Sequence, residues 1–178
     1  ITSLEKGKTF YTSNWGLAEL RAEIAGNIER KYCLSYDPQK EILVTVGGSE
    51  AIDNAFRAFV GPGDEVLIPE PSFVCYTPLT ILTGGTPVPL KTVHEDQFKV
   101  TPERLRAAIT PRTKMLVLPF PNNPTGAIMT RGELEAIAEV LRDTNILVLS
   151  DEIYCDLTYQ GEHVCFAEID GMKERTIV

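Results

Sequence analysis

Five short, apolar, β-rich runs recur along the chain and set the terms for any fold: Ile42–Val46, Val66–Ile68, Met115–Leu118, Ile146–Leu149 and Thr176–Val178. Runs of this length with no polar alternation suit strands buried on both faces, as in a parallel sheet covered by helices. A sixth run, Thr86–Leu90, carries two prolines and reads as a short, edge-like strand. Helical patterns fill the gaps. Leu17, Leu20, Ile24 and Ile28 follow one helical face, as do Ile52, Phe56 and Phe59 after Ser49. Thr101-Pro102-Glu103 is a helix start leading into Leu105, Ala108 and Ile109. Thr130 and Glu133 have capping-box spacing before Leu134, Ile137, Ala138 and Leu141. Strand and helix alternate, so the expected fold is α/β: a three-layer αβα sandwich on a mostly parallel sheet with right-handed crossovers.

Composition narrows the class. Of 178 residues, 43% are hydrophobic and 24% charged, which suits a globular domain and not a disordered chain. Lysine plus arginine total 17 against 25 acidic residues, a net charge of −8, which disfavours phosphate-backbone binding and polybasic membrane attachment. No apolar run approaches the roughly 20 residues of a membrane helix, so neither nucleic acid nor membrane is expected as a partner. Cys33, Cys75, Cys155 and Cys165 form no CxxC pair, and only His94 and His163 could join them on a metal. Free thiols in a reducing cytoplasm are the expectation. The sequence begins without Met and stops within an apolar run, which reads as a chain cut at both ends.

In open α/β sheets, ligands bind beyond the carboxyl ends of the strands. After Val46 stands Gly47-Gly48-Ser49-Glu50, opening a helix: a phosphate cradle, or a tight turn with Ser49 as cap. After Ile68 stands Pro69-Glu70-Pro71-Ser72-Phe73-Val74-Cys75-Tyr76, where Phe73 could stack on a flat ligand or simply plug the core. After Leu118 stands Pro119-Phe120-Pro121-Asn122-Asn123-Pro124-Thr125-Gly126, a stiff turn compatible with a cis peptide before Pro124 and able to hold an asparagine amide against a ligand oxygen. After Leu149 stands Ser150-Asp151-Glu152-Ile153-Tyr154, an acid at a strand end that could pair with a cation. An ATPase-like nucleotide domain is a distant alternative, since neither GxGxxG nor a Walker A sequence occurs.

Together, Tyr11-Thr12-Ser13-Asn14-Trp15-Gly16-Leu17 with Leu20-Arg21, Val44–Ala51, Pro62–Val66, the PNNPTG turn (residues 121–126) and SDEIY (residues 150–154) give the chain a family likeness. The sequence resembles the fold-type I, pyridoxal-phosphate-dependent aminotransferases of class I/II, the broad aspartate aminotransferase family. The resemblance implies pyridoxal 5'-phosphate as cofactor, with Gly48, Ser49 and the Glu50 amide on its phosphate and Phe73 stacked on its ring. It further implies that Asn123 and Tyr154 hydrogen-bond the ring's phenolic oxygen, and that Asp151 pairs with the pyridinium nitrogen so that the ring acts as an electron sink. Tyr11 matches a tyrosine that reaches the neighbouring subunit's phosphate, implying a homodimer with shared active sites.

The implied activity is transfer of an amino group from an L-amino acid to a 2-oxo acid; a carbon–sulfur β-lyase of the same fold is the alternative. The family's Schiff-base lysine lies in a serine–lysine pair that this sequence does not contain. Residues 1–178 are therefore expected to be most of the cofactor-binding large domain, without the N-terminal arm, the lysine segment or the C-terminal small domain, and inactive alone. The resemblance also implies that Ile42–Val46 pairs with a strand beyond Val178.

Overall fold

Helix formation starts early, with α1 (Thr2–Glu5) and α2 (Ala18–Tyr32), and every strand comes later in the sequence. The computed structural model describes all residues from Ile1 to Val178. They divide into two units, residues 1–47 and residues 48–178.

In the first unit two apolar segments stand without the partner or cover that their patterns call for. Ile42–Val46 joins no ladder; Ile42 is buried, but Val46 is exposed. A strand exists only through a hydrogen-bonded neighbour. This segment instead offers the Val44 amide to the Trp15 carbonyl at 3.1 Å. The approach is close enough that a Cβ on Gly16, whose φ is +92°, would lie 2.6 Å from Val44 Cβ, so only glycine fits there. The apolar stripe of α2 is likewise left uncovered at one end. Leu17 and Leu20 are about half exposed, and the one buried residue of the helix is Arg21, whose guanidinium donates to the Pro38 carbonyl at 2.7 Å. Periodicity identifies a face that would be stabilised by burial; it does not supply the cover.

In the second unit, α3 (Gly48–Phe59) precedes β1 (Glu65–Glu70), α4 (Tyr76–Leu82), β2 (Thr86–Lys91), α5 (Pro102–Ala108), β3 (Thr113–Leu118), α6 (Arg131–Leu141), β4 (Leu147–Ser150) and β5 (Thr176–Ile177). The strands form one sheet in the order β2-β1-β3-β4-β5, and all four ladders are parallel. Strand β2, with Pro87 and Pro89, lies at an edge, where missing N–H groups cost least; the inner strand β1 carries one proline, Pro69, next to its end. Strand alternation then sorts the core into two layers. Leu67, Leu116, Leu118 and Val148 pack with Leu105 of α5 and Leu134, Ile137, Ala138 and Leu141 of α6. Their neighbours Val66, Ile68, Met115, Val117 and Leu149 pack with Ile52, Ala55 and Phe56 of α3 and Tyr76 of α4. That is the three-layer αβα arrangement. Phe59, expected on the same face as Phe56, is 44% exposed.

Both expected helix starts form. Thr101 Oγ1 accepts from the Arg104 amide, and Thr130 with Glu133 closes a full capping box. At the amino end of β1, the buried Glu65 carboxylate accepts from Thr110 Oγ1 at 2.5 Å and from Arg112 Nε at 2.9 Å. The Thr110 hydroxyl, then the Arg112 guanidinium, hold its pKa below the usual carboxylate range, against the opposing effect of burial. A depressed folded-state pKa contributes stability that is complete above the unfolded value and lost as the pH falls through the folded one. Glu65→Gln is therefore expected to lower the melting temperature at neutral pH, with the gap from wild type closing on acidification. A gap independent of pH would contradict this role.

Candidate active site

The cavity of interest lies where the handedness of parallel α/β units places ligands, at the carboxyl ends of β1, β3 and β4. Its volume is about 130 Å³. Gly48 and Ser49 from the start of α3, Phe73 from the loop after β1, Asn123 from the loop after β3, and Asp151 and Tyr154 after β4 all line it. Residues up to 106 positions apart in sequence thus face one space, because successive parallel strands deliver their following loops to the same end of the sheet.

Each wall has a local cause. Helix α3 begins at Gly48, so Ser49 and Glu50 occupy the first turn, where backbone N–H groups have no intrahelical acceptor and the helix dipole favours an anion. Gly47, with φ +87°, makes the turn into it. A Cβ added at Gly48 would meet only Ile153 Cδ1 at 3.5 Å, an ordinary contact. In the loop after β3 the Asn123–Pro124 peptide is cis, as expected; Phe120–Pro121 and Glu70–Pro71 are cis as well.

At the end of β4, the Asp151 amide donates to the Leu118 carbonyl at 3.1 Å, continuing the β3–β4 ladder by one residue. The Asp151 carboxylate is fixed at both oxygens: Tyr76 Oη donates to Oδ2 at 2.6 Å, and the Ile153 amide to Oδ1 at 3.3 Å. Tyr76 is 1% exposed, and its ring meets Phe73 edge to face at a centroid distance of 6.1 Å. Burial, then the Asp151 charge, raise the Tyr76 phenol well above its ordinary pKa, so it acts as a permanent donor. The same two causes, in the same order, push the Cys75 thiol up to about 11. Glu152 is engaged elsewhere: its carboxylate accepts from Ser150 Oγ at 2.8 Å and the Phe166 amide at 3.2 Å, and meets His163 Nε2 at 2.6 Å. No group of three acidic, histidine or cysteine side chains is arranged to hold a metal.

Of the eight site residues read from the sequence, six line this cavity. Glu50 is exposed in the first turn of α3 and is not part of the lining, and Tyr11 is fully exposed in the first unit. Sequence reasoning missed Tyr76 and Ile153, which also line it. Tyr76 carried a usable signal: a tyrosine in the aromatic segment after β1 must find a partner for its hydroxyl if buried.

The αβα sandwich thus brings a helix start, an aromatic wall and a fixed carboxylate to face one cavity. Residues 3–177 match the family model described as aminotransferase class I and II, and the chain belongs to that family. It is 48% identical over 178 residues to a putative aminotransferase of Bacillus subtilis, YugH, covering all of this chain and 46% of that protein. Its fold is similar to that of the aromatic aminotransferase of Pyrococcus horikoshii, with a TM-score of 0.95 at 41% identity over 98% of this chain and 47% of the other. The aspartate aminotransferase of Thermus thermophilus, solved with maleate, matches with a TM-score of 0.93 at 42% identity, over 98% of this chain and 45% of that one. The chain therefore spans about half the length of the relatives it matches. No helix is long and apolar enough to cross a membrane.

Proposed function

We propose that the whole protein is a pyridoxal-phosphate-dependent aminotransferase that moves an amino group from an L-amino acid to a 2-oxo acid. The observation that carries the reading is the convergence of the α3 start, Phe73, Asn123, Asp151 and Tyr154 on one cavity. The donor set suits pyridoxal 5'-phosphate: the first turn of a helix for a phosphate, a ring face for a pyridine, a carboxylate for a ring nitrogen, and an amide and a phenol for a phenolic oxygen. When bound, that cofactor supplies an electron sink for a substrate amine losing its α-proton.

The chain's own residues then have separable tasks. Ser49 Oγ and the first-turn amides, Glu50's among them, bind the phosphate. Phe73 covers one ring face and excludes water from it. Asp151 keeps a proton on the ring nitrogen, and Tyr76 holds that carboxylate in place through Oδ2. Asn123 and Tyr154 would donate to the phenolic oxygen. No lysine lines the cavity, so the amine nucleophile comes from elsewhere in the whole protein. On this reading residues 1–178 are most of the cofactor-binding large domain of a cytoplasmic homodimer, with Tyr11 turned toward the partner's phosphate. The relatives' names favour transamination over carbon–sulfur β-elimination.

The test is spectroscopic. Bound pyridoxal phosphate in the whole protein should change its absorbance when an amino donor is added and recover when a 2-oxo acid follows. Absence of a shift with every common amino acid would sink the reading. Release of pyruvate from cystathionine without an acceptor would replace it with the lyase.

A further inference from the structure

We propose that Asn122, which does not line the cavity, is a positioning residue that fastens the ring-gripping loops of the site to one another. The inference rests on the reading of the cavity as a pyridoxal phosphate site. Asn122 is 3% exposed. Its Nδ2 donates to the Pro71 carbonyl at 3.0 Å, joining residues 51 apart in sequence. Its backbone is held on both sides, with the amide donating to the Ala127 carbonyl at 2.9 Å and the carbonyl accepting from the Gly126 amide at 2.7 Å. The PNNPTG turn is thus closed on itself, and the single side-chain bond to Pro71 ties it to the loop after β1. Phe73 follows Pro71 by two residues and Asn123 follows Asn122 by one, so this bond spans the two walls that would grip the ring from its face and its edge.

The other end of the carboxamide argues that the bond is the reason for the residue. Asn122 Oδ1 is buried and has no hydrogen-bond partner. A buried, unpaired acceptor is costly, and an apolar side chain of similar size would fill the space without that cost. Asparagine at this position is explained by its donor. The phosphate-gripping start of α3 has no part in this fastening, which gives the proposal a selective consequence.

The experiment uses the whole protein freed of cofactor, titrated separately with pyridoxal phosphate and with inorganic phosphate, alongside thermal melts. Asn122→Asp keeps the shape and loses the donor; Asn122→Leu also removes the orphaned acceptor. Either variant that melts as a folded protein should bind pyridoxal phosphate about tenfold or more weakly, the effect of one buried hydrogen bond, with phosphate affinity unchanged. In a Phe73→Ala background the further loss on adding Asn122→Leu should shrink, because the wall it positions is already gone. Wild-type affinity for pyridoxal phosphate in a folded variant would overturn the inference alone. So would a parallel loss of both ligands, or full additivity with Phe73→Ala. Failure of the wild type to bind pyridoxal phosphate would instead remove the reading of the site and this inference with it.

Discussion

Asp151→Ala in the whole protein is expected to lower turnover by several orders of magnitude while leaving the fold intact. The carboxylate is the only acidic group on the cavity wall, and two donors, Tyr76 Oη and the Ile153 amide, fix its direction. Without it the ring nitrogen of a bound pyridine has no partner to keep it protonated, and an unprotonated ring is a weaker electron sink. Asp151→Asn separates charge from shape, since a carboxamide oxygen can still accept from Tyr76; it should be nearly as slow as the alanine variant. Tyr76→Phe should be milder, because it loosens the carboxylate without removing it. The measurement is single-turnover reaction with an amino donor, with cofactor content determined in parallel. Near-normal turnover in Asp151→Ala would show that the residue merely ends β4.

The largest stability effect is expected at Phe56. Its side chain is fully buried between α3 and the β1–β3 face of the sheet, among Ile52, Val66, Tyr76 and Met115. Truncation to alanine removes most of a large apolar side chain and leaves a cavity that close-packed neighbours cannot collapse to fill, costing about 3–5 kcal/mol. Urea titration should show the midpoint moving to lower denaturant with the slope unchanged. Because α3 also presents Gly48 and Ser49 to the cavity, the same variant should weaken phosphate binding. A midpoint shift corresponding to less than about 1 kcal/mol would mean that the α3 interface is far softer than its burial implies.

Where local chemistry decides, the sequence was sufficient. The runs at Val66–Ile68, Met115–Leu118 and Ile146–Leu149 became β1, β3 and β4, because unalternated apolar residues are stable in a strand only when both faces are covered. Thr101 and Thr130 announced the starts of α5 and α6, because a cap satisfies backbone donors within three residues. Two prolines placed β2 at the edge. Six candidate residues that line the cavity were legible for the same kind of reason: each follows a strand end or opens a helix, and parallel topology brings those points together.

What the sequence did not determine depends on partners distant along the chain. Ile42–Val46 has the composition of a strand and forms none, since pairing belongs to two segments and not to one. Leu17 and Leu20 mark an apolar face whose cover is not encoded in their spacing. The bonds from Tyr76 to Asp151, 75 residues on, and from Asn122 to Pro71, 51 residues back, are decided only when the sheet aligns the loops that carry them. A hydrogen bond needs its two atoms within about 3 Å and properly aimed. Sequence can name the residues able to make such a bond; only the folded chain selects which of them meet.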